Sequence, residues 1–376
     1  MRRRNTIPVL VLALVCMGLW LMPAVRTVAV ERGVPACARV TAVDDSDVQK
    51  LGVLDYGSQH LEVEVLDGAE KGKTFRANNE IRAQLDVDKT FRVGDVAVVV
   101  IPPNGAKPGE TLVARDHWRL GWMGVMFGAF CLLLCVFGGW TGAKALFSFL
   151  FSCLVVWKLI VPLALAGWSA SWISFAAVCL LTAVIMYLVA GPTRKGATAT
   201  LGALLGVFSG LVLAHLFSWL MHITGATMPF VQALLNSGYE SMDLADVFVG
   251  AMVLASSGAV MDLAMDIAAG IEEVARHNPG LPRRELFLSG LRIGRSVVGT
   301  MTTTLLLAYS GGYITLLMVF AAQGTPPLDF LNSTLVSAEV VKTLVGSFAL
   351  VLVAPFTAFV GALVLASAPS GKAASA

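Results

Sequence analysis

Residues 120–365 fall into apolar runs, each about the 20 residues that a helix needs to cross a bilayer. The runs cover 120–137, 146–166, 172–189, 201–221, 247–271, 297–321 and 343–365. In hydrocarbon every backbone donor and acceptor must be satisfied within the segment, so each run is predicted to be a helix. An eighth run, 7–22, follows Arg2-Arg3-Arg4, and Pro23-Ala24-Val25-Arg26 is a poor cleavage site. Residues 1–25 are therefore read as an uncleaved signal-anchor helix. The chain is 56% hydrophobic and 14% charged, with a mean hydropathy of +0.76, which is the composition of a polytopic membrane protein and far from globular averages. The expectation is an α-helical polytopic membrane protein of about eight transmembrane helices.

Residues 34–115 have different chemistry. Charges are dense, and His60-Leu61-Glu62-Val63-Glu64-Val65-Leu66 alternates polar with apolar, the period of a half-buried strand. Turn signals punctuate the segment at Asp67-Gly68, Lys71-Gly72, Asn78-Asn79 and Gly94-Asp95. This predicts a small OB-like β barrel of about five strands between the first and second helices. Of the six cysteines only Cys37 falls in this segment, so no disulfide framework is expected; Cys131 and Cys135 share a helix face as small packing residues.

The basic residues set the orientation. With the N-terminus inside, Lys144, Arg194, Lys195, Arg276, Arg283, Arg284, Arg292, Arg295 and Lys372 are cytoplasmic. The opposing loops, 167–171, 222–246 and 322–341, hold no lysine or arginine, although Lys342 borders the last. Trp118, Trp122, Trp140, Trp168, Trp172 and Trp219 stand near predicted span ends, as an aromatic belt requires. This predicts a cytoplasmic-membrane protein with residues 34–115 outside, a seven-helix domain over 118–367 and a disordered cytoplasmic tail over 368–376. The arginines have a topological role, so the net charge of +2 implies no nucleic-acid partner.

Asp262 and Asp266 are spaced i, i+4 at the end of an apolar run that is uncharged from Val247 to Met261, so they share one helix face. A carboxylate at membrane depth costs roughly 2.5–3.5 kcal/mol, and such residues mark ion pathways, relays or pairs. A helix already leaving the bilayer at Asp266 accounts for that residue equally well. Ser256-Ser257-Gly258 is either a helix break that exposes backbone groups to an ion or a small-residue packing site. Lys158, mid-span and followed by Pro162, is the candidate counter-charge for Asp262 or Asp266. Thr300, Thr302, Thr303 and Thr304 form a hydroxyl-rich patch, although threonine also bonds its own backbone. Glu240, Asp243 and Asp246 are a candidate outer vestibule for cations, or a solvated acidic loop. The segment 282–295 reads as a basic amphipathic helix that lies along the inner leaflet or plugs the base of the bundle. No metal cluster, catalytic set or cofactor motif is present, and there is no Walker A loop.

Several segments together resemble the YibE/F family of bacterial membrane proteins. They are Ser257-Gly258-Ala259-Val260-Met261-Asp262 with Asp266; Asn278-Pro279; Glu285-Leu286; Ser289-Gly290; Ile293-Gly294-Arg295; Gly299-Thr300-Met301; Thr304-Leu305; and Ala308-Tyr309. Glu339, Gly346-Ser347, Pro355 and Thr357-Ala358 continue the likeness, as do Leu66-Asp67-Gly68, Lys71-Gly72 and Val93-Gly94-Asp95. The resemblance adds Glu339 to the candidate ion- or solute-binding set of Asp262, Asp266, Ser256, Ser257, Lys158, Thr300, Thr303 and Thr304. Ser296 and Thr303 depart from it, standing where aspartate and asparagine are expected.

The leading expectation is a permease or secondary transporter of an unknown small solute or ion, without cofactor and not an enzyme. The alternative is a non-transporting assembly or sensor protein that binds a partner, or a second copy, through residues 34–115. A third reading is a metal-dependent lipid phosphotransferase. Gly258-x3-Asp262-x3-Asp266 with Asp243-x2-Asp246 resembles part of such a site, but a continuous helix would hold Asp246 more than about 20 Å from Asp262.

Overall fold

A computed structural model of the chain describes residues 15–18, 20–21, 33–85, 87–103, 105–107 and 109–366. Most of the expected anchor and the whole expected tail lie outside them. The chain divides into two compact units, residues 25–134, and residues 1–24 with 135–376.

In the first unit, β1 (Val34–Leu51), β2 (Leu54–Val65), β3 (Thr74–Arg82), β4 (Val96–Ile101) and β5 (Thr111–His117) close a barrel in the order β1-β2-β3-β5-β4. All neighbours are antiparallel except β3 with β5. The alternation read from the sequence is the cause: Leu61, Val63 and Val65 point inward with Ala97, Val99, Ile101 and Phe75. Expected as partly closed, the barrel closes fully, its last strand reaching His117. Gln59 ties the returning loop to the barrel. Its side chain accepts from the Phe91 N–H at 2.8 Å and donates to the Phe91 carbonyl at 3.0 Å. Cys37 is buried in the wall, where burial first and the Asp67 carboxylate second push its thiol up to about 11.

The helices follow the apolar runs, with instructive differences. The runs 120–137 and 146–166 fuse into α1 (Leu120–Val155), a π-helical turn at Val156–Ile160 and α2 (Val161–Leu165). These 46 residues would extend about 69 Å if straight, more than twice the hydrocarbon thickness. The stretch is broken at Gly139 (φ 52°, ψ −128°), leaving two arms, each of spanning length. The π turn accommodates Pro162 without ending the helix.

Next come α3 (Ala170–Ala190), α4 (Arg194–Leu220), the short α5 (Val231–Asn236) and α6 (Leu244–His277). Then follow α7 (Arg283–Gly311), α8 (Ile314–Ala322), the short α9 (Pro327–Asn332) and α10 (Thr334–Val364). The basic segment 282–295 is the opening of α7, packed against the bundle through Gly290 and Gly294, so of its two expected placements the one on the bundle is found. The expected span 297–321 is bent by 63° between α7 and α8. Among the described residues, five helices are long and apolar enough to cross a membrane, or six with the bent pair.

Small residues hold this bundle together, as they must where lipid removes most of the hydrophobic drive for helix association. Gly202, Gly206 and Gly210 form an i, i+4 stripe on α4 facing Thr357, Val353 and Ala349 of α10. A methyl group at Gly206 would lie 2.8 Å from Val353 Cβ and 3.0 Å from Val260 Cγ1. Gly290 and Gly294 of α7 face Ala358 and Ala354 of α10 in the same way. The core therefore centres on α10 and α6, with Leu263, Ile267, Ile271, Leu350 and Val353 fully enclosed.

Two outcomes follow from this packing. Gly206→Leu should cost about 1–3 kcal/mol or more through overpacking, lowering the thermal midpoint in detergent, whereas Gly124→Ala, with nothing within 4 Å, should leave it unchanged. Cys37 should react with iodoacetamide at pH 8 on the order of 100-fold more slowly than an ordinary exposed thiol. Asp67→Asn should restore little of that rate, because burial is the larger cause; peptide mapping by mass spectrometry measures both.

Candidate functional site

Glu339 and Lys342 are spaced i, i+3 on α10 and so share a face. Lys342 Nζ donates to Glu339 Oε1 at 2.8 Å and to Tyr313 Oη at 3.1 Å. It also lies 5.7 Å from the Phe248 ring centroid on α6 and 5.4 Å from that of Tyr313. Each partner of the ion pair is only 18% exposed. Glu339 Oε2 is buried and has no hydrogen-bond partner among the described residues. Tyr313 stands at the corner where α7 turns into α8, so the ion pair is fastened to the bend. Glu339 was expected from sequence, but Lys342 and Tyr313 were not. Glu339-x2-Lys342 at helical spacing in an apolar run was the signal available.

The acidic vestibule is partly assembled. Asp243 caps α6 by accepting from the Asp246 N–H at 3.1 Å. Asp246 Oδ2 accepts from Ser169 Oγ at 2.9 Å and from the Ser171 N–H at 3.2 Å, at the start of α3. Ser171 Oγ lies 3.2 Å from His215 Nε2 on α4. Both aspartates line a cavity of about 650 Å³ with His215, Ser218, Trp219 and His222. Glu240 is exposed and does not line it. These carboxylates therefore have capping roles that the sequence reading did not assign.

Asp262 and Asp266 do share a face, and it points away from the bundle. The exposed stripe on α6 is Ala251, Ala255, Gly258, Asp262 and Asp266. Neither aspartate forms an ion pair or hydrogen bond with a described residue, so the expected pairing with Lys158 is not formed. Lys158 lies in the π-helical turn, where neighbouring Val155 and Ile160 pack with Ile173 and Ala177 of α3. Ser256 and Ser257 are buried, and α6 runs through them unbroken. Their hydroxyls donate to Val253 O at 3.3 Å and Leu254 O at 2.7 Å, so the packing alternative holds and the helix break does not.

The threonines also satisfy themselves on their own helix. Thr300, Thr302, Thr303 and Thr304 donate to the carbonyls of Val297, Val298, Gly299 and Thr300 at 2.8–3.0 Å. Thr300, Thr303 and Thr304 are exposed, as are Arg292, Arg295 and Ser296. Asp246 and Asp262 lie sixteen residues apart on one continuous helix, about 24 Å, so these carboxylates do not gather. Among the described residues no group of three or more His, Cys, Asp or Glu is placed to hold a metal ion. On the barrel, Asp44, His60, Glu62 and Arg76 line a surface groove of about 560 Å³.

No curated protein and no solved structure matches the chain. A family model does: that of the YibE/F-like proteins, over residues 126–367, from within the first arm of α1 to beyond the end of α10. That match covers more than half of the 376 residues, and it contains the ion pair, the bent corner and the aspartate stripe. The chain is a membrane protein and belongs to the YibE/F-like family.

Proposed function

We propose that this protein is a permease that moves a small ion or solute across the bacterial cytoplasmic membrane, with Glu339 as the group whose partner changes during transport. The observation that carries this reading is the Glu339–Lys342 pair hydrogen-bonded to Tyr313 at the 63° bend. Discontinuous helices with ionisable groups at the break are how many transporters build their sites. Intramembrane charges have a functional role by default, because each is costly to place. Glu339 Oε2, buried and without a hydrogen-bond partner among the described residues, is an acceptor ready for a proton or small cation. Neutralising Glu339 would remove the anchor that holds Lys342, and with it the contact to Tyr313, freeing the α7–α8 corner to move.

The membrane frame belongs to the same proposal. Both arms of α1, then α3, α4, α6, the bent α7–α8 pair and α10, together with the anchor, make eight spans. Both termini are then inside and the barrel is outside, in keeping with the distribution of lysine and arginine.

Proteoliposomes on a solid-supported membrane, challenged with protons, sodium, potassium and panels of organic anions and amines, test the reading. Wild type should give protein-dependent charge movement, and Glu339→Gln should reduce it at least about tenfold while staying monodisperse. Lys342→Met strands the carboxylate and should destabilise the fold by about 3–5 kcal/mol, while the double variant recovers most of that loss without recovering transport. A fully active Glu339→Gln would remove Glu339 from the mechanism, and electrical silence across the panel would count against transport itself.

A further inference from the structure

Three strands of the barrel end on the same side of it. β1 and β3 both lie antiparallel to β2, and β3 lies parallel to β5, so all three run one way. Their last residues, Leu51, Arg82 and His117, therefore stand at one end of the barrel, together with the β1–β2 turn and the β3–β4 loop 83–95. The chain leaves for the membrane from this end. β5 stops at His117, and α1 begins at Leu120 within the same compact unit, 25–134. The two linking residues are tied down. The Trp118 N–H donates to the Val96 carbonyl at 2.8 Å, and Arg119 pairs with Asp116 at 2.8 Å. Every residue from Arg119 to Phe130 is exposed, so α1 departs without folding back along the barrel wall.

This end of the barrel is apolar where the other is not. The turn Leu51-Gly52-Val53-Leu54 carries no charge, and its two-residue loop, opened by Gly52 at φ 67°, holds Val53 out at 90% exposure. Tyr56 is exposed opposite Arg82, where the loop 83–95 begins, and that loop exposes Leu85 (78%), Val87 and Val93. At the opposite end, the loops 66–73 and 102–110 hold no large hydrophobic residue except the half-buried Leu66. The charges near the apolar rim are held locally. Asp88 accepts from the Arg82 and Gln84 N–H groups, and Asp95 from the Arg92 N–H. A concentration of exposed apolar side chains at one end marks a contact surface.

Continuity with α1 selects the occupant. From His117 to Leu120 the chain reaches about 10 Å at full extension, so this end is held close to where α1 enters the bilayer. The polar layer on each side of the hydrocarbon is about 5–7 Å deep, and apolar side chains of surface-bound segments lodge at its inner boundary. A protein partner would have to enter this gap, whereas lipid already borders it. We propose that this end of the barrel is a membrane-contact surface, with Leu51, Val53 and Leu85 seated in the headgroup layer of the bilayer that α1 enters. The contact is apolar rather than electrostatic, so it needs no anionic lipid. It is independent of the permease reading, because it concerns where the barrel rests and not what the bundle moves.

The test uses the full-length protein in phosphatidylcholine nanodiscs. The fluorescent amino acid Anap, introduced by stop-codon suppression, replaces Val53, Leu85 or, at the opposite end, the exposed Lys71. Lipids with a nitroxide just below the headgroup should quench the probe at Val53 or Leu85 at least about threefold more than the probe at Lys71, and aqueous iodide should quench it at least about threefold less. A probe at Tyr56 should lose its lipid quenching when Val53→Asp and Leu85→Asp are added, both being exposed positions where the change leaves the barrel core untouched. Probes at Val53 and Leu85 as open to iodide as the one at Lys71 would overturn the proposal, since the rim would then stand in water. Probes shielded from both quenchers would also overturn it, since protein would then cover the rim.

Discussion

A charge inside an apolar bundle must find its counter-charge there, and in this protein that requirement fixes the corner between α7 and α8. Lys342 is held by Glu339 on its own helix and by Tyr313 on the next element, with the Phe248 ring beside it. The pair is a weak source of net stability, because desolvation offsets much of its Coulomb attraction. Its importance is geometric: it joins α10 to the 63° bend between α7 and α8. Such a contact can exist only because α10 is packed closely against its neighbours. The glycines of α4 and α7 remove the side chains that would otherwise hold α10 away.

The same small residues explain why the bundle has a defined outside. Helices α4, α6 and α7 turn their closest-packing faces toward α10, leaving the opposite faces for lipid or protein. For most of the bundle the outward residues are large and apolar, as with Leu201, Leu205, Phe208 and Val212 on α4. The outward stripe of α6 differs in being small and acidic.

Much of the architecture was legible in the sequence. The barrel followed from period-two alternation in β2 and from glycine-bearing turns, because a strand half buried in a barrel wall must alternate. The membrane helices followed from runs of apolar residues, because hydrocarbon leaves the backbone no other choice. Spacing also put Asp262 and Asp266 on one face. Hydropathy averages over a helix, however, and does not say which way a face points or where an apolar run bends. So the placement of 282–295 stayed open between the inner leaflet and the base of the bundle, the bend near Tyr313 was missed, and the aspartates were expected to face a partner such as Lys158. The Gly202, Gly206, Gly210 stripe was visible in the letters, but its partner on α10 lies far away in the chain. Glu339 entered through family likeness. Its partner Lys342 read as the border of an outer loop, and Tyr313, inside the apolar run 297–321, gave no signal of its own.

The central claim is that protonation or ligation of Glu339 releases the α7–α8 corner. Double electron–electron resonance between spin labels at Leu317 on α8 and Leu344 on α10, both exposed, measures it directly. The account predicts one narrow distance distribution in the parent protein. In Glu339→Gln it predicts a second or broadened distribution, while Lys342 and the rest of the bundle remain unchanged in sequence. Identical narrow distributions in both proteins would contradict it: the pair would then be a static brace, and the bend a fixed part of the fold.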